Sequence, residues 1–275
     1  GCYAKLIDLD PAKEPEIFAA VNQFGSIMEN VSINPENRTV DFGSRSITEN
    51  TRGSYSLEAL KNVFRQDTEA SAPKNIVFLT ADAFGALPAV AKLNPWQTQY
   101  HFISGYTAKV AGTEVGVKEP QAAFSACFGA PFMPRHPAVY AKLLSEFAKK
   151  ADCSVWLLNT GWTGGDYTTG KRFPIQVSRK IISAIQSGEL AKQNRVVHPA
   201  FGFEVPTVCP GVESKFLAVP EGASVLELAK KFVKNMEKYE SEIDSETLLR
   251  GAPLAGGAGG KKNSSSSDRV HVGTL

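Results

Sequence analysis

Asn75-Ile76-Val77-Phe78-Leu79-Thr80 is a near-continuous apolar run bounded by Pro73 and Asp82. A run without polar alternation is what a strand covered on both faces shows, so it predicts a buried central strand. Ser154-Val155-Trp156-Leu157-Leu158-Asn159-Thr160 is a second run of the same kind. Elsewhere the apolar period changes. Pro137 to Ala151 carries Tyr140, Leu143, Leu144 and Phe147 at three- and four-residue spacing. Ser178 to Ser187 carries Ile181, Ile182 and Ile185, with Gly188 as a stop, and Ser224 to Tyr239 carries Val225, Leu228, Ala229, Phe232, Val233 and Met236. These stripes read as core-facing sides of helices rather than as cofactor boxes. Apolar strands with amphipathic helices make an α/β chain.

Around these elements the pattern is weaker. Lys5 to Asp10 reads as a strand, and Glu14 to Val21 as one or two helical turns, with Pro15 tolerated early. Val31-Ser32-Ile33 and Thr39 to Phe42 read as a hairpin about Asn34-Pro35-Glu36-Asn37. Gly251 to Gly260 is rich in Gly and Ala, and a polar run follows. Such a stretch buries too little apolar surface to offset its ordering entropy, so 251–275 is expected to be a disordered Gly/Ser-rich tail.

The 275 residues include 30 Lys plus Arg against 28 Asp plus Glu, a net charge of only +2, and that balance calls for no polyanionic partner such as duplex nucleic acid. No apolar run approaches the ~20 residues that span a bilayer, so no membrane role is expected. The four cysteines, Cys2, Cys127, Cys153 and Cys209, form no CxxC pair. Their spacing argues against a zinc site or a disulfide scaffold and fits a reducing, cytoplasmic setting. Gly1-Cys2-Tyr3-Ala4-Lys5 has neither an initiator methionine nor a signal-peptide pattern, so the chain reads as processed or as a fragment.

Gly165-Asp166-Tyr167-Thr168-Thr169-Gly170-Lys171-Arg172 follows a predicted strand and reads G-x-x-x-x-G-K. A phosphate loop needs Ser or Thr next, for Mg²⁺, and must open straight into a helix. Here Arg172 comes next and Phe173-Pro174 follows, so the phosphate-loop reading is rejected. Contact with another part of a nucleotide stays open. Arg52, in Glu49-Asn50-Thr51-Arg52-Gly53-Ser54-Tyr55, sits in a polar turn. It is either a solvated side chain or a guanidinium fork for a phosphoryl or carboxylate group. His101 and His136 lack a second ligand at metal-binding spacing. Cys127, flanked by Ala126 and Phe128, reads as inert packing. No G-x-S-x-G elbow occurs.

Several strings taken together resemble the C-terminal half of ATP-dependent phosphoenolpyruvate carboxykinase. They are Gly1-Cys2-Tyr3-Ala4-Lys5, Glu49-Asn50-Thr51-Arg52, Phe78-Leu79-Thr80-Ala81-Asp82-Ala83-Phe84-Gly85 and Tyr100-His101-Phe102-Ile103-Ser104-Gly105-Tyr106-Thr107-Ala108-Lys109. Phe124-Ser125-Ala126-Cys127-Phe128-Gly129, Leu158-Asn159-Thr160-Gly161-Trp162, Gly170-Lys171-Arg172 and Pro210-Gly211-Val212 complete the series. The resemblance covers 1–250 and implies a mixed-sheet α/β fold, the family's C-terminal nucleotide-binding domain.

It also implies an activity: oxaloacetate and ATP give phosphoenolpyruvate, CO₂ and ADP, with Mg²⁺ and Mn²⁺, in gluconeogenesis. Arg52 falls where the family has an arginine reaching both the transferred phosphoryl group and the substrate. Glu14 falls at a nucleotide contact on the ribose side, Arg172 and Phe173 at the adenine side, and Ser178 where the family commonly has threonine. Lys5 is implied as a phosphate contact. Phe173 departs from the aliphatic residue usual at its position. No metal ligand is expected in this chain, because the family's phosphate loop, metal ligands and main oxaloacetate-binding residues belong upstream of Gly1. The expectation is therefore a chain inactive alone, lacking its N-terminal partner domain. The alternative is a non-catalytic nucleotide-binding or interaction remnant. A GTP-using carboxykinase fits less well, since its nucleotide loop carries a cysteine.

Overall fold

A computed structural model describes residues 2–61, 63, 71–109 and 119–254. The chain forms two compact units, Gly1–Ser71 with Lys109–Pro120, and Ala72–Ala108 with Gln121–Leu275. The reading of 1–250 as one domain meets this division.

The smaller unit contains β1 (Cys2–Lys5), α1 (Pro15–Val21), β2 (Ile27–Glu29), β3 (Ser32–Ile33), β4 (Val40–Asp41) and β5 (Arg52–Tyr55). Strands β1, β5 and β2 form a three-stranded sheet with β5 in the middle, antiparallel to both neighbours. Strands β3 and β4 are the expected hairpin. The expected strand over Lys5 to Asp10 is not there. It ends at Lys5, because Leu6 and Leu9 both enter the core and the Leu9 N–H closes a turn onto the Leu6 carbonyl. Asp8 bends the chain with a left-handed φ of 56°. The core beneath the sheet gathers Leu6, Leu9, Ala20, Val21, Phe42 and Tyr55.

The larger unit begins with β6 (Asn75–Thr80), β7 (Val90–Leu93), α2 (Pro95–Ser104), β8 (Tyr106–Lys109) and β9 (Gln121–Phe124). It continues with α3 (Pro137–Lys150), β10 (Ser154–Asn159), β11 (Trp162–Thr163), β12 (Lys171–Arg172) and α4 (Ile175–Gln186). Strands β13 (Arg195–Val197) and β14 (Glu204–Pro206) precede α5 (Ala223–Met236) and α6 (Ser245–Gly251). A five-stranded mixed sheet runs β13-β14-β7-β10-β6, with β10 parallel to β6 and antiparallel to β7. Alternation along β10 builds both layers. Val155 and Leu157 join Tyr100, Ile103, Ala141, Leu228 and Phe232 on one face. Trp156 and Leu158 join Val177, Ile181 and Ile185 of α4 on the other. Burying side chains of this size is worth roughly 2–3 kcal/mol each.

The second apolar run is thus the two-sided inner strand. The first, β6, stands at the sheet's edge: its partner is β10, and Leu79 is 58% exposed. An apolar run reports low polarity, not the number of neighbours. Helix α4 starts three residues before the expected Ser178, directly after Pro174 at its N-cap. Helix α2 has no counterpart in the sequence reading, and Gly251 to Leu254 are ordered rather than part of a tail. Gly251 closes α6 and is buried, and the Leu254 N–H donates to the Ala200 carbonyl at 2.8 Å. Residues 255–275 of the expected tail lie outside the described residues.

Two imidazoles are locked into this core. His101 lies between Phe203 and Phe232, with ring centroids at 4.8 and 4.9 Å. His198 accepts the Ala200 and Phe201 N–H groups on Nδ1. Burial pushes His101 from 6.5 down to about 3 and His198 to about 4. Below 6.5 the unfolded chain binds protons that the fold excludes. Stability should therefore fall as pH drops from 6.5 toward those folded values, by up to about 1.4 kcal/mol per pH unit for each group. Denaturant midpoints measured across this window test the point. A flat profile on the acid side would contradict it.

Candidate functional site

Each unit carries one cluster of the residues singled out in the sequence. In the smaller unit the register fixes the chemistry. Lys5 lies directly opposite Arg52 on one side, and Glu29 opposite it on the other. Residues facing each other in a sheet share a side, so Lys5, Arg52 and Glu29 line one face together with Tyr3, Ile27 and Ser54. Ala4, Gly53 and Tyr55 take the opposite, core-facing side, where Val21 and Leu6 leave no room for a Cβ at position 53. Arg52 is therefore on a central strand and not in a turn. A four-residue strand containing glycine has too little β propensity to be seen from composition.

The guanidinium stands 5.9 Å from the Tyr3 ring centroid, and the Tyr3 hydroxyl donates to Glu29. The Arg52 Nη1 is buried without a hydrogen-bond partner. A buried N–H of a cation left unpaired costs on the order of 1–3 kcal/mol, and an anion placed against it would recover that cost. Lys5 is exposed and adds positive charge on the same face. Glu14 is exposed at the N-cap of α1, where its N–H donates to the Asp10 carbonyl.

In the larger unit the cluster sits where the parallel pair β6 and β10 ends. Ligands of open α/β sheets bind beyond the carboxyl ends of such strands. The loop after β10 returns as the short β11–β12 hairpin, with Trp162 facing Arg172. The Arg172 guanidinium lies 5.5 Å from the Trp162 ring centroid, and its Nε donates to the Thr160 carbonyl at 3.2 Å. The G-x-x-x-x-G-K string leads into β12 and then Pro174, not directly into a helix. Phe173, next to exposed Arg172, points the other way: it is 7% exposed, with Phe216 at 6.2 Å between centroids. Ser178 is buried in the first turns of α4.

Sequence reasoning missed the residues that hold the hairpin: Trp162, Thr160, Asn159, Asp82 and Tyr106. Polar residues closing both apolar strands, Thr80 to Asp82 and Asn159 to Gly161, were the available signal. Cys127 donates weakly to the Pro137 carbonyl at 3.8 Å, and burial pushes its thiol up to about 11. His136 caps α3. A cavity of about 400 Å³ at the other end of β10, lined by Lys92, Lys149, Asp152 and Glu204 among others, contains none of the expected site residues. Among the described residues no three His, Cys, Asp or Glu side chains gather. Among the described residues there is thus no cluster of three such side chains to hold the expected Mg²⁺ or Mn²⁺ by protein ligands alone. No described helix is long and apolar enough to cross a membrane.

A family model described as phosphoenolpyruvate carboxykinase matches residues 1–215. The chain belongs to the phosphoenolpyruvate carboxykinase family. Among its curated relatives, the phosphoenolpyruvate carboxykinase (ATP) of Novosphingobium aromaticivorans is 47% identical over 266 residues, covering 93% of this chain and 49% of that protein. That of Brucella suis biovar 1 is 50% identical over 254 residues, covering 90% of this chain and 47% of the relative. That of Sinorhizobium medicae is 50% identical over 252 residues, covering 89% and 47%. The chain spans about half the length of the curated carboxykinases it matches.

Proposed function

We propose that this chain forms the nucleotide side of an ATP-dependent phosphoenolpyruvate carboxykinase. The enzyme would convert oxaloacetate and ATP to phosphoenolpyruvate, CO₂ and ADP for gluconeogenesis in the cytoplasm. The observation that carries the proposal is the unpaired, buried Arg52 Nη1 beside Lys5, in a chain matching carboxykinases along most of its length. Loss of CO₂ from oxaloacetate leaves an enolate whose oxygen attacks the γ-phosphorus. Both reactants are anionic, and a planar guanidinium presents paired donors that hold them together. Arg52 takes that role, with Lys5 as a second phosphate contact. Glu14 accepts ribose hydroxyls. Arg172, over the Trp162 ring at 5.5 Å, presents its plane to the adenine. Phe173, with its ring in the core, fixes the backbone behind Arg172, and the Ser178 hydroxyl completes that side.

The 275 residues contain no G-x-x-x-x-G-K-[ST] string. On this proposal the phosphate loop, the metal ligands and the main oxaloacetate contacts come from the enzyme's N-terminal domain. Partners are then that domain and the small substrates, not nucleic acid or membrane. The chain alone should bind ATP and not turn over. Calorimetric titration with ATP, followed by an assay of ADP-dependent CO₂ fixation into phosphoenolpyruvate, tests both statements. Absence of ATP binding at millimolar concentration would overturn the nucleotide assignment. Turnover like that of a full-length relative would refute inactivity. The second reading is a non-catalytic nucleotide-binding or interaction remnant of that enzyme. Adding the separately expressed N-terminal half of a relative decides between them: only the first predicts restored turnover.

A further inference from the structure

Asp82 carries a fully buried carboxylate with an unusual set of partners. Its Oδ2 accepts the Ala86 and Leu87 N–H groups at 2.6 and 3.0 Å. Its Oδ1 accepts the Phe84 N–H at 3.2 Å and the Tyr106 hydroxyl at 2.7 Å. Burial, with the charge of Asp82 adding to it, raises the Tyr106 phenol well above its ordinary value, so it remains the donor. A carboxylate held this way forces residues 82–87 into one turn. A charge taken out of water costs several kcal/mol, which packing alone does not require.

That turn is stitched to the Arg172 hairpin. The Asp82 carbonyl accepts the Trp162 N–H at 2.8 Å, and the Ala83 carbonyl accepts the Tyr167 N–H at 2.8 Å. Asn159 joins the two loops: its Oδ1 accepts both the Asp82 and Gly161 N–H groups, and its Nδ2 donates to the Leu87 carbonyl. Trp162 in turn carries the Arg172 guanidinium. We infer that Asp82 is a positioning residue for nucleotide binding: its carboxylate-held turn, through the anchored Trp162 backbone, sets where the Arg172 guanidinium stands. The inference rests on the reading of Arg172 as a nucleotide contact.

ATP affinity of the 275-residue chain, measured in a double-mutant cycle, tests it. Tyr106→Phe removes one donor to Asp82 and keeps the ring that packs on Phe124 and Phe232 at 5.3 and 5.2 Å, so the fold survives. It should raise the ATP Kd roughly fivefold in the parent and leave it unchanged beside Arg172→Gln, since misplacing an absent side chain has no effect. Asp82→Asn should show the same non-additivity with a loss of about tenfold or more. Equal losses in both backgrounds, or no loss with either variant, would reduce Asp82 to a structural role and overturn the inference. If Arg172→Gln alone leaves ATP binding intact, the nucleotide reading of Arg172 fails instead. Hydrogen exchange then decides the positioning. Asp82→Asn should speed exchange of the Trp162 and Tyr167 amides relative to β7 and α3, and unchanged protection of those amides would overturn it.

Discussion

Gly161→Ala should unfold the larger unit or leave it barely stable, with a loss of at least about 4 kcal/mol. A Cβ built at this position would lie 2.0 Å from the Asp82 carbonyl oxygen and 2.4 Å from its nitrogen. Backbone meets backbone here, so no side chain can swing aside. Neither partner is free to retreat. Gly161 is held by its N–H bond to Asn159 and by the Phe173 N–H on its carbonyl, and Asp82 by four bonds to its carboxylate. The glycine is needed for space and not for a left-handed φ. Denaturant unfolding measures the loss. A midpoint near that of the parent would mean the two loops can separate at little cost.

Arg52→Gln, made at the corresponding position of a full-length relative, should lower kcat by roughly 10³-fold. Arg52→Lys keeps the charge but loses the planar fork, and should recover only part of that loss. The same Arg52→Gln change in this chain should leave thermal stability unchanged or slightly raised, because the fold gives Nη1 no hydrogen bond to lose. Steady-state kinetics and a melting curve together make the test. A mutant that melts early with kcat intact would assign Arg52 to the fold and remove it from the reaction.

The parts legible in the sequence were those whose burial follows one period. Strand β10 is apolar on both sides because helices cover both sides. Helices α4 and α5 bury the stripes read from their sequences, and such a stripe survives translation into sequence. In α3 the reading fails in part, because Leu143 and Phe147 of the expected stripe are exposed and the buried residues are Ala141 and Ala148. Helix α2 was hidden because it buries polar residues round its surface, Gln97, Thr98, His101 and Ser104 beside Tyr100 and Ile103. Its ends were nonetheless written out: Asn94 and Gln97 cap each other, Pro95 follows the cap, and Gly105 closes it with φ 52°. None of the three strands of the Arg52 face carries an apolar run, so the pairing of Lys5, Arg52 and Glu29 emerges only from register. Register is a property of two distant segments and is invisible in either. Phe173 illustrates a different limit. The resemblance implies an adenine-side place for it, while its ring is 7% exposed against Phe216, and adjacent residues on an extended segment face opposite ways.

The placing of β10 between β7 and β6 bears on how the chain comes to be folded. Thr160, just past β10, bonds to Thr80, the last residue of β6, 80 residues away. Such a ladder forms only after a long intervening segment has been made and gathered, so its nucleation is entropically slow. During synthesis at roughly 5–20 residues per second, β6 waits several seconds with an apolar edge unpaired. Holdase chaperones and low expression temperature should therefore govern the yield of this polypeptide more than its final stability does.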